Sequence, residues 1–177
     1  MVDVCDRSMQ WLATAMEKEQ SGWDFYKNAA EKCTTSMGKE LFRKLMADEG
    51  IHMRRVKEIY DTLYNRKVWS QDWMACKTEN PDLRQLISER IEKLAPQVKP
   101  DSSDLDAIET GLGMEQGSIN FYEDQLKLST DPLEKEFLDL MLREERGHFV
   151  ALKDLKLFFT NPESWYYEKE RQHVDGG

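Results

Sequence analysis

The chain has 177 residues, 40% of them hydrophobic and 33% charged, with nine Gly and five Pro, which suits one helical domain able to bury a core without disulfides or a structural metal. Its formal charge of −9 argues against nucleic-acid binding, because phosphate contacts need clustered Lys and Arg. Cys5, Cys33 and Cys76 are odd in number, widely spaced and free of any Cys-x-x-Cys, so neither a disulfide framework nor a zinc or iron–sulfur module is encoded and a reducing cytoplasm is the expected compartment. The N-terminus has no basic n-region or apolar h-region, and no stretch approaches the roughly 18 consecutive apolar residues of a membrane span, so neither export nor membrane insertion is expected.

The first helix is expected to start near Asp6 or Ser8 and run to about Cys33, with Leu12, Ala15, Glu19, Gly22 and Tyr26 on its inner face. Ser36 and Gly38 mark a turn, and a second helix follows from about Met37 to about Asn65. Residues 66–102 break the pattern. Trp69 and Trp73 lie in a mixed segment, Asn80-Pro81-Asp82 caps a short helix of about Leu83 to Leu94, and Pro96 and Pro100 close it. A connection of that length reads as a crossover, placing the start of the third long helix at the end of the bundle where the first one starts. That helix opens with a capping box at Ser103-Asp104-Leu105-Asp106, carries Ile108, Leu112, Glu115, Ile119 and Tyr122 in its seam, and ends near Ser129. Asp131-Pro132-Leu133-Glu134 starts a fourth helix that continues to Phe159 or Thr160. A short terminal helix then holds Trp165, Tyr166 and Tyr167, packed across the bundle or against a second subunit. The fold class is therefore all-α, a single domain over 1–177 comprising a ferritin-like four-helix bundle (8–159), one long crossover and a tail (160–177).

The spacing Glu-x-x-His occurs at Glu49/His52 and again, 96 residues later, at Glu145/His148. On a helix, residues three apart share a face, so each motif aims a carboxylate and an imidazole into one space. Both motifs sit in apolar stripes of identical spacing, through Leu45, Val56, Ile59 and Leu63 in one and Met141, Leu152, Leu155 and Phe159 in the other. The same offset relates the segment from Glu19 to Tyr26 to that from Glu115 to Tyr122, with four of eight positions identical. The chain reads as a duplicated helix pair.

The inward polar residues are then Glu19, Glu49, His52, Glu115, Glu145 and His148: one Glu from each of two helices, and a Glu-x-x-His from each of the others. Four buried carboxylates carry a charge that a low-dielectric core does not tolerate, whereas two divalent cations cancel it. Carboxylate and imidazole ligation without thiolate suits iron or manganese better than structural zinc, although affinity order leaves zinc open. The pseudo-symmetry puts Glu49 and Glu145 in bridging positions, Glu19 and His52 on one metal, and Glu115 and His148 on the other, roughly 3.5 to 4 Å apart. Tyr26 and Tyr122 face the same interior and are expected to hydrogen-bond the carboxylates. Asp48 and Glu144 are placed to orient the imidazole of the opposite motif. His173 reads as a solvated residue of the tail. Trp69, Trp73 and Trp165 supply aromatic surface through which such bundles associate, and a homodimer is expected.

With its two Glu-x-x-His motifs and the seven-residue Glu-to-Tyr spacing in the first and third helices, the chain resembles the rubrerythrin family of the ferritin-like superfamily over about residues 8–159. The resemblance implies that the six residues bind two iron ions. It implies reduction of hydrogen peroxide with electrons from a donor protein such as rubredoxin. The chain departs from the family in two places. Rubrerythrins usually carry a further Glu three residues after the third-helix ligand, where this chain has Ser118, with Gly22 as its repeat mate; the ligand set then matches the simpler pattern of bacterioferritins. The four-cysteine rubredoxin module is missing, so electrons are expected from a separate protein. The alternative function is that of an iron-binding protein which oxidises Fe(II) with dioxygen or peroxide and stores or delivers it; a metal-free interaction bundle that kept the motif by descent is a third reading.

Overall fold

A computed structural model describes residues 4–78, 83–94 and 100–174, all in helices, turns and connecting segments with no strand among them. Four long helices form the bundle: α1 (Val4–Lys32), α2 (Ser36–Arg66), α4 (Ser102–Leu128) and α5 (Pro132–Thr160). Between the two pairs lie a single 3-10 turn (Asp72–Ala75) and α3 (Leu83–Leu94), and α6 (Pro162–Val174) closes the chain. The expected cap at Asn80-Pro81-Asp82, the break at Pro96 and the side chain of His173 lie outside the described residues. No helix among the described residues is long and apolar enough to cross a membrane.

Local chemistry explains the element boundaries. Thr35 caps α2 by accepting from Gly38 N. A Cβ on Gly38 would sit 2.4 Å from Sγ of Cys33, so only glycine fits this tight turn. α2 ends at Lys67 in the left-handed region (φ 59°), its N–H donating to Leu63 O. Asp131 caps α5 by accepting from Leu133 N and Glu134 N, with Pro132 in the first turn as expected. At α4 the capping box is not what forms. Asp101 is the cap, accepting from Asp104 N at 3.0 Å, and Asp104 turns inward. Its carboxylate, 1% exposed, accepts from Thr34 N at 2.8 Å, Thr34 Oγ1 at 2.7 Å and Thr35 N at 3.3 Å.

That contact corrects the expected direction of the crossover. Asp104, at the start of α4, touches the turn where α1 ends and α2 begins, so α4 starts at the far end of the bundle from the start of α1. The reason is plain: α2 has already returned the chain to the end where α1 starts, and a short turn would have sufficed to begin α4 there. The connection over 67–101 is long because it must travel the length of α2. At the other end, Glu134 of α5 meets Arg7, Ser8 and Trp11 of α1, so α5 runs parallel to α1.

The interior is divided into two apolar clusters. One gathers Ala30, Met37, Phe42, Ile87, Leu155 and Trp165; the other gathers Leu12, Ile59, Trp73, Phe137 and Met141. The tryptophans expected on the surface belong to this interior. Trp73 (3% exposed) packs edge-on against Phe137, Trp165 (2% exposed) edge-on against Phe158, and half-buried Trp69 stacks on Trp11 at 6.1 Å. They cover the bundle ends and the crossover within one chain, so the argument for a dimer from these side chains falls away.

Candidate metal centre

Between the two apolar clusters lies a polar layer built from the middle of all four long helices. Glu19 comes from α1, Glu49 and His52 from α2, Glu115 from α4, and Glu145 and His148 from α5, and none is more than 4% exposed. Glu19, Glu49, His52 and Glu145 each offer one ligand atom within 4.8 Å of the others, and so do Glu49, Glu115, Glu145 and His148. Glu49 and Glu145 belong to both sets. The arrangement is thus two four-residue sites sharing two carboxylates, which is what a pair of bridged cations requires.

Each imidazole points one nitrogen inward. Nδ1 of His52 lies 3.0 Å from Oε2 of Glu19, 3.1 Å from Oε1 of Glu145 and 3.5 Å from Oε2 of Glu49. Nδ1 of His148 lies 3.6 Å from Oε2 of Glu115, 3.8 Å from Oε1 of Glu49 and 3.9 Å from Oε2 of Glu145. The outward nitrogens meet the acids of the opposite motif, Nε2 of His52 at 2.8 Å from Glu144 and Nε2 of His148 at 3.4 Å from Asp48. The outward contacts keep a hydrogen on Nε2, so a neutral imidazole would turn its Nδ1 lone pair toward a cation in the layer.

The layer does not satisfy itself. With no cation present, a protonated His52 offers one N–H at Nδ1, and Glu19 takes it. Oε1 of Glu145, Oε2 of Glu115 and Nδ1 of His148 are left buried without a hydrogen-bond partner. Buried polar atoms are seldom orphaned, and three that converge on one space, two carboxylate oxygens and an imidazole nitrogen, fit a bound divalent transition metal. The tyrosines satisfy the carboxylate oxygens that face away: Tyr26 donates to Oε1 of Glu115, and Tyr122 to Oε1 of Glu19. The bonds cross between α1 and α4 and follow the repeat symmetry.

The electrostatics describe how the layer survives without metal. Burial and then the charges of Glu19 and Glu145 push the Glu49 carboxyl well up; burial with Glu19 and Glu115 does the same to Glu145. Burial would lower both imidazoles, yet the carboxylates of Glu144, Glu145 and Glu19 that its ring nitrogens face hold His52 well above its ordinary value. The Glu115 charge and the Asp48 contact do so for His148. Against burial, the bond and charge of His52 hold Glu19 down to about 2, and His52 with Arg55 hold Glu144 at about 2. Burial and the adjacent carboxylates raise both tyrosines, which stay protonated donors. Protons therefore occupy the places that cations would take.

The sequence reading did not single out Arg55. It is 3% exposed, and its Nη1 donates to Glu144 at 2.6 Å while its Nε donates to the Cys76 carbonyl at 2.7 Å. Its position three residues after His52, on the inner face of α2, was the available signal. Its repeat mate is Ala151, so comparison of the halves passes over it.

A cleft of about 430 Å³ between α1 and α4 reaches the layer, with Glu49, Glu115 and Tyr26 at its floor and Gly22, Gly113 and Ser118 in its walls. Gly22 has a second reason to be small: a Cβ there would lie 3.1 Å from Cδ of Glu49. Gly22→Ala is expected to push the shared carboxylate aside and weaken metal retention by about tenfold, the low end of what disturbing a ligand's supports costs, measured as the dissociation constant of the loaded protein.

Two helical hairpins enclosing a layer of four carboxylates and two imidazoles define a ferritin-like bundle with a donor set that fits a di-iron centre. The chain matches the family model described as Rubrerythrin over residues 10–156, and it belongs to that family. Comparisons with curated proteins and with solved structures gave no match.

Proposed function

We propose that this chain is a cytoplasmic di-iron oxidoreductase that reduces hydrogen peroxide to water, with electrons from a separate donor protein such as rubredoxin. The observation that carries the reading is the pair of four-residue sites sharing Glu49 and Glu145, at the floor of a cleft open to small molecules. Glu19 and His52 would hold one iron, Glu115 and His148 the other, and Glu49 and Glu145 both. Iron bound there supplies the redox change; peroxide takes two electrons and two protons as its O–O bond breaks and two waters form. The protein's residues do the rest. Tyr26 and Tyr122 fix the terminal carboxylates, Glu144 and Asp48 fix the imidazoles, and the apolar clusters on either side keep bulk water from the layer.

A second reading, oxidation of Fe(II) for storage or delivery, is favoured by Ser118, which stands where the family usually has another carboxylate. An anaerobic Fe(II) titration of metal-free protein, followed by peroxide, separates the two. Saturation at about two irons per chain, as a bridged pair requires, with rapid growth of near-ultraviolet absorption on adding peroxide supports the peroxidase. Uptake continuing well beyond that supports storage, and no uptake rejects both. Ser118→Leu, which narrows the cleft without adding a ligand, is expected to slow oxidation by peroxide about tenfold, or 1.4 kcal/mol of barrier, with iron content unchanged. An undiminished rate would place peroxide entry elsewhere.

A further inference from the structure

The two halves of the layer follow the 96-residue repeat closely, and they part company at one charged residue. Glu144 and Asp48 are repeat mates, and each faces Nε2 of the opposite imidazole. On the His52 side, however, the acid is itself anchored. Oε2 of Glu144 accepts from His52 Nε2 at 2.8 Å and from Arg55 Nη1 at 2.6 Å, and the Arg55 Nε is tied to the Cys76 carbonyl at 2.7 Å. The His148 side has Ala151 where Arg55 would be. Its acid, Asp48, lies at 3.4 Å from Nε2, beyond the usual range of about 2.7–3.2 Å for an N–H···O bond. A cavity of about 310 Å³ borders His148, with Asp48, Thr78, Leu83 and Arg143 on its wall and the clamped Glu144 at its edge.

From this asymmetry we infer that Arg55 is a positioning residue that makes the two metal positions unequal, so that the position of Glu19 and His52 holds its ion tightly and that of Glu115 and His148 exchanges. The inference rests on the two-metal reading of the site. Its physical basis is preorganisation. The planar guanidinium holds Glu144 with one donor while another is fixed to backbone, so the acceptor for His52 Nε2–H stays where it is. A ligand whose tautomer and ring direction are set before the ion arrives loses less freedom on binding it. His148 has a longer contact to an acid that no guanidinium clamps among the described residues, and the cavity beside it leaves room for the ring to turn.

The experiment is an anaerobic Co(II) titration of metal-free protein, followed in the visible d–d bands, with the wild type and the Arg55→Met, Arg55→Lys, His52→Ala and His148→Ala chains. The wild type is expected to fill two classes of site in sequence. His148→Ala keeps the tighter class and His52→Ala loses it. Arg55→Met weakens the tighter class by about 10–100-fold and leaves the weaker one where it was, and Arg55→Lys recovers part of the loss because the charge remains without the fork. Two equal sites in the wild type, or both classes weakening together in Arg55→Met, would overturn the inference while leaving the metal centre intact. Should Arg55→Met fail to fold, the two histidine variants still decide which position is tight, and retention of the tighter class in His52→Ala would overturn the assignment. No Co(II) binding by the wild type would instead strike at the metal-centre reading itself, and the inference would fall with it.

Discussion

The metal-free protein is expected to be most stable near pH 4.5 and to lose stability as the pH rises from there, whereas the metal-loaded protein holds its stability. The sign follows from where the protons sit. Glu49 and Glu145 are raised well above 4.5, by burial first and by neighbouring carboxylates second. His52 and His148 are raised well above 6.5 by the acids around them, against the effect of burial. A group raised in the folded state keeps a proton that the unfolded chain has released. Folding stability therefore falls as pH climbs through 4.5 on account of the two carboxyls, and more steeply above 6.5 once the imidazoles join them. Each retained proton costs about 1.4 kcal/mol per pH unit within its window. On the acid side the sign reverses: Glu19 and Glu144 lie at about 2 and Glu115 is lowered, so their contribution is lost as pH falls from 4.5 toward 2.

Metal removes the basic-side slope because cations replace the protons. Loading is accordingly expected to release protons from the groups that hold them in the metal-free layer, His52 and His148 with Glu49 and Glu145, and to be favoured by raising the pH. Thermal unfolding of both forms at several pH values tests the first statement; titration in weakly buffered solution tests the second. A metal-free midpoint that does not move between pH 5 and 9 would mean that the layer carries its charges unneutralised, with no protons standing in for the cations.

The repeat makes the six carboxylate and imidazole positions legible because their spacing obeys two constraints at once, the helical period and the 96-residue offset. The tyrosines are legible for the same reason, though only the structure shows that each serves the carboxylate of the other hairpin. What stays hidden is what breaks the repeat. Arg55 has Ala151 as its mate, and the clamp at Glu134 has Gly38 in the corresponding place. Asp104 reads as part of a capping box because Ser-Asp-Leu-Asp is a local signal, whereas its inward turn depends on Thr34 and Thr35, about 70 residues away in sequence. The direction of α4 is lost through the same gap: it is set by that contact, and helix periodicity carries no information on direction. The tryptophans illustrate a further limit. An irregular segment looks exposed by composition, and Trp73 is buried only because the crossover lies back across α2 and α5.

Replacing Glu134 by Ala is expected to cost about 3–5 kcal/mol of folding stability, the usual cost of removing one partner from a buried ionic cluster. The carboxylate is fully buried. It accepts from Arg7 Nη2 at 2.6 Å on both oxygens, from Ser8 Oγ at 3.0 Å and Trp11 Nε1 at 2.8 Å on Oε1, and from Ser129 Oγ at 2.8 Å on Oε2. Four donors are left facing one another when it goes, and Arg7, only a quarter exposed, cannot leave without unpacking the start of α1. Glu134→Gln keeps an acceptor and loses the charge, so about 1.5–3 kcal/mol is expected, the worth of a charged hydrogen bond. Denaturant unfolding of the metal-free protein measures both. Metal stoichiometry supplies the control that separates this clamp from the centre. The polar layer lies between the two apolar clusters, and Asp104 still ties α4 to the α1–α2 turn at the opposite end. Both variants should therefore take up the same number of ions as the wild type once folded. If instead metal uptake is lost while the fold persists, the clamp at Glu134 would be setting the register of α5 against α1, and with it the meeting of Glu145 and His148 with Glu19 and His52.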